Sequence, residues 1–202
     1  MVMHTNEPAT KVAKQPGDPD RKNAWRALRR GALLLASMLA QSASAEPGGW
    51  QVTDDSSPLT NLPAVSAVLP SNRDLVNMIG AAQRASLVLR CSDRTLVVYV
   101  NWPEVVNYDG ENFVGQPKTM AVWKIDDGPL KANLWSIANG SAAAGEFASR
   151  NALKLLSSFA NANRLVVRLS GRTTQDAAFD LAGIREVAPK VAAACGLRLG
   201  TP

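Results

Sequence analysis

The stretch SLVLRCSDRTLVVYVN, residues 86–101, decides the fold of this chain. Two runs rich in apolar and β-branched residues, 86–91 and 95–101, flank the polar tripeptide at 92–94. Such runs joined by so short a polar connection are typical of a β-hairpin. Both alternating faces of the second run are largely apolar, so we expect that strand to be covered on both sides.

Similar runs on either side of the hairpin predict further strands, at residues 50–53, 64–69, 119–125 and 164–169, with a weaker one at 175–180. Turn-forming residues separate them. The cluster Asp126, Asp127, Gly128 and Pro129 is a strong turn signal, and Ser170 with Gly171 is typical of a hairpin end.

Two segments have apolar residues at helical spacing. The first spans residues 149–162, where Ser149 is a candidate N-cap and Leu153, Leu156 and Phe159 share one side. The second follows Asp180 and runs to Cys195, with Pro189 predicting either a kink or a later start. Residues 71–85 fit either a short helix or a loop, and the pattern does not choose between them.

Strands followed by a helix, a strand pair and a terminal helix predict an α+β domain with a mainly antiparallel sheet, two helices and one disulfide. We expect it to occupy residues 46–202 as a single domain. A chain of that length can bury about 68–70% of its unfolded surface, which is enough for one core.

Residues 1–45 have the order of a cleavable signal peptide. Five basic residues between 21 and 30 precede a short apolar run at 31–40, and Ala43 and Ala45 then give the small-x-small pattern before Glu46. A membrane-spanning helix needs about 20 apolar residues, so the pattern predicts cleavage after Ala45 rather than a retained anchor. Arg29 and Arg30 leave open whether the general or the twin-arginine route is used.

Charge gives no support for a nucleic-acid partner. The chain has a net charge of +5, but seven of its 22 basic and three of its 17 acidic residues lie in the leader. The remaining 15 basic and 14 acidic residues form no basic stripe, so the electrostatic basis for nucleic-acid binding is missing.

The only histidine is His4, inside the predicted leader. The domain therefore has no imidazole for a catalytic triad, a histidine metal site or general acid–base catalysis. The two cysteines, Cys91 and Cys195, form an even set in an exported protein, which favours one disulfide. Two separate buried thiols are the alternative.

Acidic residues cluster at 54–55, 126–127 and 104–111, where they could serve a carboxylate-dependent hydrolase. Their Gly, Pro, Ser and Asn neighbours favour a structural role in turns instead. No glycine pattern indicates phosphate binding. We therefore expect a protein with no catalytic residues, no cofactor and no metal.

Tryptophans offer a possible recognition surface for a partner or a glycan, although core packing is the more ordinary role. Trp123 lies within an apolar strand and is expected in the core. Trp102, Trp135 and Tyr108 are the candidates for an exposed interaction surface.

Seven short stretches, in this order, resemble one known family. They are WQVTD (50–54), SPL (57–59), LVLRC (87–91), TLVVYVNW (95–102), WS (135–136), FDLAG (179–183) and ACG (194–196). The chain is similar over residues 50–197 to the type VI secretion-associated accessory proteins called TagO or VasI. Arg90-Cys91 and the two C-terminal stretches are the most specific matches.

The resemblance implies a Cys91–Cys195 pairing and a periplasmic accessory protein that supports assembly or anchoring of a secretion apparatus, without an enzymatic role. Its partners would be envelope or secretion-apparatus proteins, with no membrane anchor after cleavage. Two other functions remain open from the residues: an inhibitor or immunity-like protein acting on a cell-envelope hydrolase, and a carboxylate-dependent envelope hydrolase.

Overall fold

A computed structural model describes residues 49–112, 115–138, 140, 142–170 and 175–200. These residues form an α+β domain. Its helices are α1 (Ser149–Phe159) and α2 (Ile184–Ala194). Its strands are β1 (Gln51–Ser56), β2 (Pro63–Pro70), β3 (Leu75–Val76), β4 (Ala82–Gln83), β5 (Ser86–Ser92), β6 (Thr95–Asn101), β7 (Gly110–Glu111), β8 (Pro117–Ile125), β9 (Lys131–Ile137), β10 (Ala143–Glu146), β11 (Arg164–Leu169) and β12 (Ala177–Asp180).

One large sheet organises the described residues, in the order β1-β2-β5-β6-β10-β9-β8-β11-β12, with β7 added beside β8. Every strand pair in it is antiparallel. The chain after β2 reaches the far edge, where the Asn72 N–H donates to the Ala178 carbonyl at 2.7 Å. The predicted α+β class with a mainly antiparallel sheet is confirmed.

The predicted hairpin is β5 and β6, with Cys91 opposite Leu96. Asp93 and Arg94 make the turn with φ values of 50° and 61°. Positive φ at both central residues is characteristic of a two-residue type I′ turn, whose backbone twist matches that of the paired strands. The outer face of β6 is partly covered, because Tyr99 stacks with Phe147 at a centroid distance of 5.6 Å.

The core lies between the helices and one face of the sheet, here called the inner face. Alternate residues of β2, β5 and β6 are buried there, and the buried residues of both helices join the same cluster. Helix α1 packs on β6 and β10, and α2 packs on β2 and β5. Alternation with period 2 in the strands and period 3.6 in the helices produces these matching apolar faces.

Cys91 and Cys195 form a disulfide that links β5 to the end of α2, across 104 residues of sequence. The predicted pairing is confirmed, and the alternative of two separate thiols is wrong. Both cysteines are buried. Because such bonds persist in oxidising surroundings, the disulfide indicates an oxidising compartment outside the cytoplasm.

Two helix predictions need correction. Ser149 is the first residue of α1 rather than its N-cap, and its hydroxyl accepts a hydrogen bond from the Leu96 N–H at 3.0 Å. The Ser149 hydroxyl therefore connects α1 to β6 and does not cap the helix. Pro189 lies inside α2, which begins at Ile184, so of the two alternatives, a kink or a later start, the later start is wrong.

Residues 71–85, which fit either a short helix or a loop, contain the small β3–β4 hairpin and no helix. Strands β7, β9 and β10 were not predicted. The predicted leader, with Ala43, Ala45 and Glu46, lies outside the described residues, and so does Gly171. Among the helices of the described part, none has the length and apolar character to cross a membrane.

Candidate binding groove

The three residues predicted to form an interaction surface do not share one exposed surface in the structure. Tyr108 is 58% exposed, but Trp102 and Trp135 are only 3% and 2% exposed. The expected exposure is wrong for Trp102, and Trp135 is buried as well. The backbone N–H of Trp102 donates to the Ala142 carbonyl, which extends the pairing one residue past β6. The indole rings of Trp102 and Trp135 both belong to the core.

Three of the seven acidic residues proposed as hydrolase candidates, Asp55, Asp109 and Asp126, accept hydrogen bonds from the backbone. One carboxylate oxygen of Asp126 accepts from the N–H groups of Asn163 and Arg164, at 3.0 and 2.8 Å. Asp109 accepts from the Met120 N–H at 2.7 Å. These contacts close turns and join strands, which agrees with the structural interpretation of these residues.

A groove runs between α1 and the inner face of β8 and β9, with a cavity volume of about 350 Å³. This is within the size range of small-molecule sites, about 300–1,000 Å³. We call it the α1 groove. Its strand wall consists of Trp123, Lys131, Asn133, Trp135 and Glu146, and its helix wall of Asn151, Lys154, Leu155 and Ser158.

Regular spacing brings these residues together. The helix wall has positions i, i+3, i+4 and i+7 from Asn151, which form one face of a helix. The strand wall alternates along β9 at 131, 133 and 135, and Trp123 of β8 lies opposite Lys131. The residues that α1 buries in the core are a different stripe, formed by Ala152, Leu156 and Phe159. The stripe that faces the groove is therefore not occupied by core packing.

An aromatic pair forms the floor of the groove. The rings of Trp123 and Trp135 lie 5.3 Å apart between centroids, at an angle of 36°. Trp135 is buried, whereas Trp123 is only partly buried against the core. Trp135 therefore supports Trp123 from the core side. Neither indole N–H has a hydrogen-bond acceptor among the described residues.

The charges of the groove are only partly compensated. Burial raises the pKa of the Glu146 carboxyl, opposed in part by the nearby Lys118 charge and by a hydrogen bond to Asn151. In the described parts of the chain, neither Lys131 nor Lys154 forms an ion pair. The lining contains two lysines without an ion pair and one carboxyl, on which the Lys118 charge already acts, so the groove favours a ligand that carries negative charge.

A second depression of similar size lies on the other face of β8 and β11, with a volume of about 340 Å³. Four of its six charged side chains are paired with each other, and a fifth, Asp126, accepts from the backbone. Arg168 binds Asp176 with two hydrogen bonds, at 2.6 and 2.9 Å, and Lys124 lies 3.9 Å from Asp127. It therefore offers a ligand fewer unused charges than the α1 groove does.

Sequence reasoning missed most of the α1 groove. Glu146, Asn151, Lys154 and Ser158 belong to no recognised motif. The polar spacing along α1 was visible in the sequence, but the opposite wall depends on β9, which the pattern did not predict. Among the described residues no cluster of three or more His, Cys, Asp or Glu side chains could hold a metal ion.

No family model matches the chain, and no curated protein sequence matches it. Among solved structures, it is similar to invasion associated protein B from Bartonella henselae, with 10% identity and a TM-score of 0.40. The similarity covers 73% of this chain and 94% of that one. This level of similarity assigns neither a family nor a function, so the resemblance to TagO or VasI proteins stays a prediction.

Proposed function

We propose that this protein is an exported, non-enzymatic binding protein of the bacterial cell envelope, and that the α1 groove is its binding site. One observation carries the proposal: a partly exposed indole, Trp123, lines the same groove as two lysines that have no ion-pair partner among the described residues. Aromatic and unpaired charged groups that converge in a cavity of this size are typical of ligand sites.

The periplasm is the compartment that best fits the proposal. The buried Cys91–Cys195 disulfide supports an oxidising location, and residues 1–45 have the order of a bacterial signal peptide. The two features are independent, since one is a covalent link within the folded domain and the other is a charge and hydropathy pattern in the leader.

A non-enzymatic role fits the contents of the groove. Among the described residues that line it, Glu146 is the one carboxyl group. Glycoside hydrolysis generally needs two carboxyl groups, about 5–9.5 Å apart. Two of the acidic residues elsewhere that were candidates for such a pair, Asp109 and Asp126, accept hydrogen bonds from the backbone.

We further propose that the protein is an accessory factor for assembly or anchoring of a type VI secretion apparatus. The resemblance of residues 50–197 to TagO or VasI proteins supports this role. Its most specific part includes the two cysteines that form the disulfide. An anchoring factor needs at least one site for an envelope component, and the α1 groove provides a candidate.

Affinity capture from the periplasm after mild crosslinking tests the proposal, with mass spectrometry of the bound proteins. We compare the wild type with Lys154→Glu, and use Arg198→Glu as the control because Arg198 is exposed and does not line the groove. We expect secretion-apparatus or wall-associated proteins with the wild type and the control, and reduced capture with Lys154→Glu. Capture of a single hydrolase, inhibited in a one-to-one complex, would contradict the accessory role and support the inhibitor.

A further inference from the structure

We infer that the α1 groove binds a glycan of N-acetylated amino sugars that carries carboxylate groups. This inference rests on the proposed function and names the ligand class for the same site. Three properties of the groove lead to it: an aromatic floor, uncompensated positive charge, and neutral polar side chains on both walls.

The aromatic floor fits a sugar ring. The face of an indole ring is negative, and the C–H groups on one side of a pyranose carry slight positive charge, so the two surfaces attract each other. Trp123 is the partly exposed member of the pair, and Trp135 fixes its position at a centroid distance of 5.3 Å. A preorganised ring loses little conformational entropy when a ligand stacks on it.

The positive charge fits a carboxylate on the sugar. Lys131 belongs to the strand wall and Lys154 to the helix wall, so both contribute positive charge to the same cavity of about 350 Å³. Neither lysine would have to break an ion pair with a described residue. Charge-assisted hydrogen bonds of this kind are about twice as strong as neutral ones.

The neutral polar groups fit the hydroxyl and acetamido groups of amino sugars. The amide nitrogen of Asn133 can donate while its oxygen accepts from the Leu134 N–H at 2.9 Å. Ser158 donates to the Leu155 carbonyl at 2.6 Å and keeps its own oxygen as an acceptor. Side chains of this type can make short-range hydrogen bonds without carrying charge.

An acidic peptide fits the groove less well. Extended peptides gain most of their affinity by pairing with a free strand edge. Along the groove, β8 is paired on both sides, by β9 and β11, and the register between β9 and β10 covers only Ser136 and Ile137 of β9. A peptide added to the remaining edge of β9, at 131–135, would lie in the plane of the sheet and would not stack on the face of the Trp123 ring. A helical peptide needs an apolar groove, whereas six of the nine lining side chains here are polar or charged.

Titration of the purified, disulfide-bonded protein with three probes tests the inference, with tryptophan fluorescence and calorimetry as readouts. The first probe is the disaccharide of N-acetylglucosamine and N-acetylmuramic acid, which has one carboxylate. The second is chitobiose with both amino groups acetylated, which has similar rings and no carboxylate. The third is a short acidic peptide without sugar. We expect saturable binding of the first, at least fivefold weaker binding of the second, and none of the third.

Variants identify the site. Trp123→Ala should weaken binding of the acidic disaccharide at least tenfold. The exposed pair Lys131→Met and Lys154→Met should remove the difference between the two disaccharides without affecting the fold. Arg150→Met, on the same helix but outside the groove, should leave every affinity unchanged.

Absence of saturable binding of both disaccharides would overturn the inference, as would peptide binding as tight as that of the acidic disaccharide. Equal loss of affinity in Arg150→Met would also overturn it, because the site would then lie elsewhere. Failure of this titration while periplasmic capture of protein partners persists leaves the proposed function standing. Successful titration with no envelope partner captured contradicts the accessory role and keeps the glycan site.

Discussion

Trp123 of β8 and Trp135 of β9 have their rings 5.3 Å apart, although the strand register does not place them opposite each other. Trp123 lies across from Lys131, and Trp135 lies across from Thr119. The two indoles therefore lean toward each other over the intervening position, where β8 has the small residue Ala121. Strand register and one small side chain together create the aromatic floor of the α1 groove.

Removal of the disulfide should destabilise the domain strongly. The double variant Cys91→Ala with Cys195→Ala loses a link that closes a long loop, and the loss of such a bond typically costs about 2–5 kcal/mol. Urea unfolding at neutral pH measures the change in the free energy of unfolding. Reductant should lower the stability of the wild type and leave the double variant unaffected, whereas unchanged stability in both would contradict the structural role of the bond.

Glu146 should make stability depend on pH. Burial raises its pKa in the folded state above the ordinary value of 4.5, so folding favours the protonated carboxyl. Its contribution is full below pH 4.5 and is lost as pH rises through the folded pKa. Glu146→Gln should therefore be more stable relative to wild type at pH 7 than at pH 4, measured by urea unfolding. An equal difference at both pH values would show that Glu146 titrates normally.

Asp176 should make stability depend on pH in the opposite direction to Glu146. Hydrogen bonds from Arg168 lower its pKa below the ordinary value of 3.8, so its contribution is present above pH 3.8 and is lost as pH falls through the folded pKa. Asp176→Asn should lower Tm by a few degrees at most at pH 7, since this pair is partly exposed. The decrease should become smaller as pH falls through the folded pKa, because the carboxyl is then protonated in the wild type as well. A decrease of the same size at pH 7 and at the lowest pH at which the domain stays folded would contradict the ionic origin.

Gly145 should tolerate no side chain. A methyl group there would overlap the Val98 carbonyl and the backbone of Tyr99, on the neighbouring strand β6. Overpacking of this kind typically costs about 1–3 kcal/mol. Gly145→Ala should lower the free energy of unfolding by at least that amount. Gly200→Ala is the control, because nothing lies within 4 Å of the added methyl group; similar losses in both variants would contradict the steric explanation.

The parts of the fold that the sequence predicts well are those whose pattern is local. Strands β5 and β6 have alternating or continuous apolar residues and a short polar turn, and α1 has an apolar stripe of its own. These elements need no distant contact to be recognised. Helix α2 was also predicted, because Val187, Ala188 and Val191 repeat at helical spacing despite Pro189.

The parts that it predicts poorly depend on distant partners. Strand β9 is exposed over its first four residues and buried only over its last three, so it shows no alternation. Strand β10, Ala143–Glu146, lacks β-branched residues and pairs only because β6 and β9 flank it. The α1 groove needs both the correct position of β9 and the orientation of α1, and neither follows from local pattern.

The exposure of tryptophan side chains also depends on distant contacts that local sequence does not reveal. Trp102 follows a strand and precedes a proline, which favoured an exposed position, yet its backbone continues the pairing and its ring enters the core. Whether a large aromatic residue faces solvent depends on which elements cover that face of the sheet. Local sequence shows that a tryptophan is present, whereas the tertiary arrangement determines whether it is exposed.

Photo-crosslinking in living cells tests most directly whether the α1 groove contacts an envelope component. A photoreactive residue is placed at Ser158, inside the groove, or at Arg150, on the same helix outside it. We predict a discrete protein or glycan adduct from position 158, identified by mass spectrometry, and none from position 150. No adduct from position 158, or the same adduct from both positions, would contradict the assignment of the groove as the binding site.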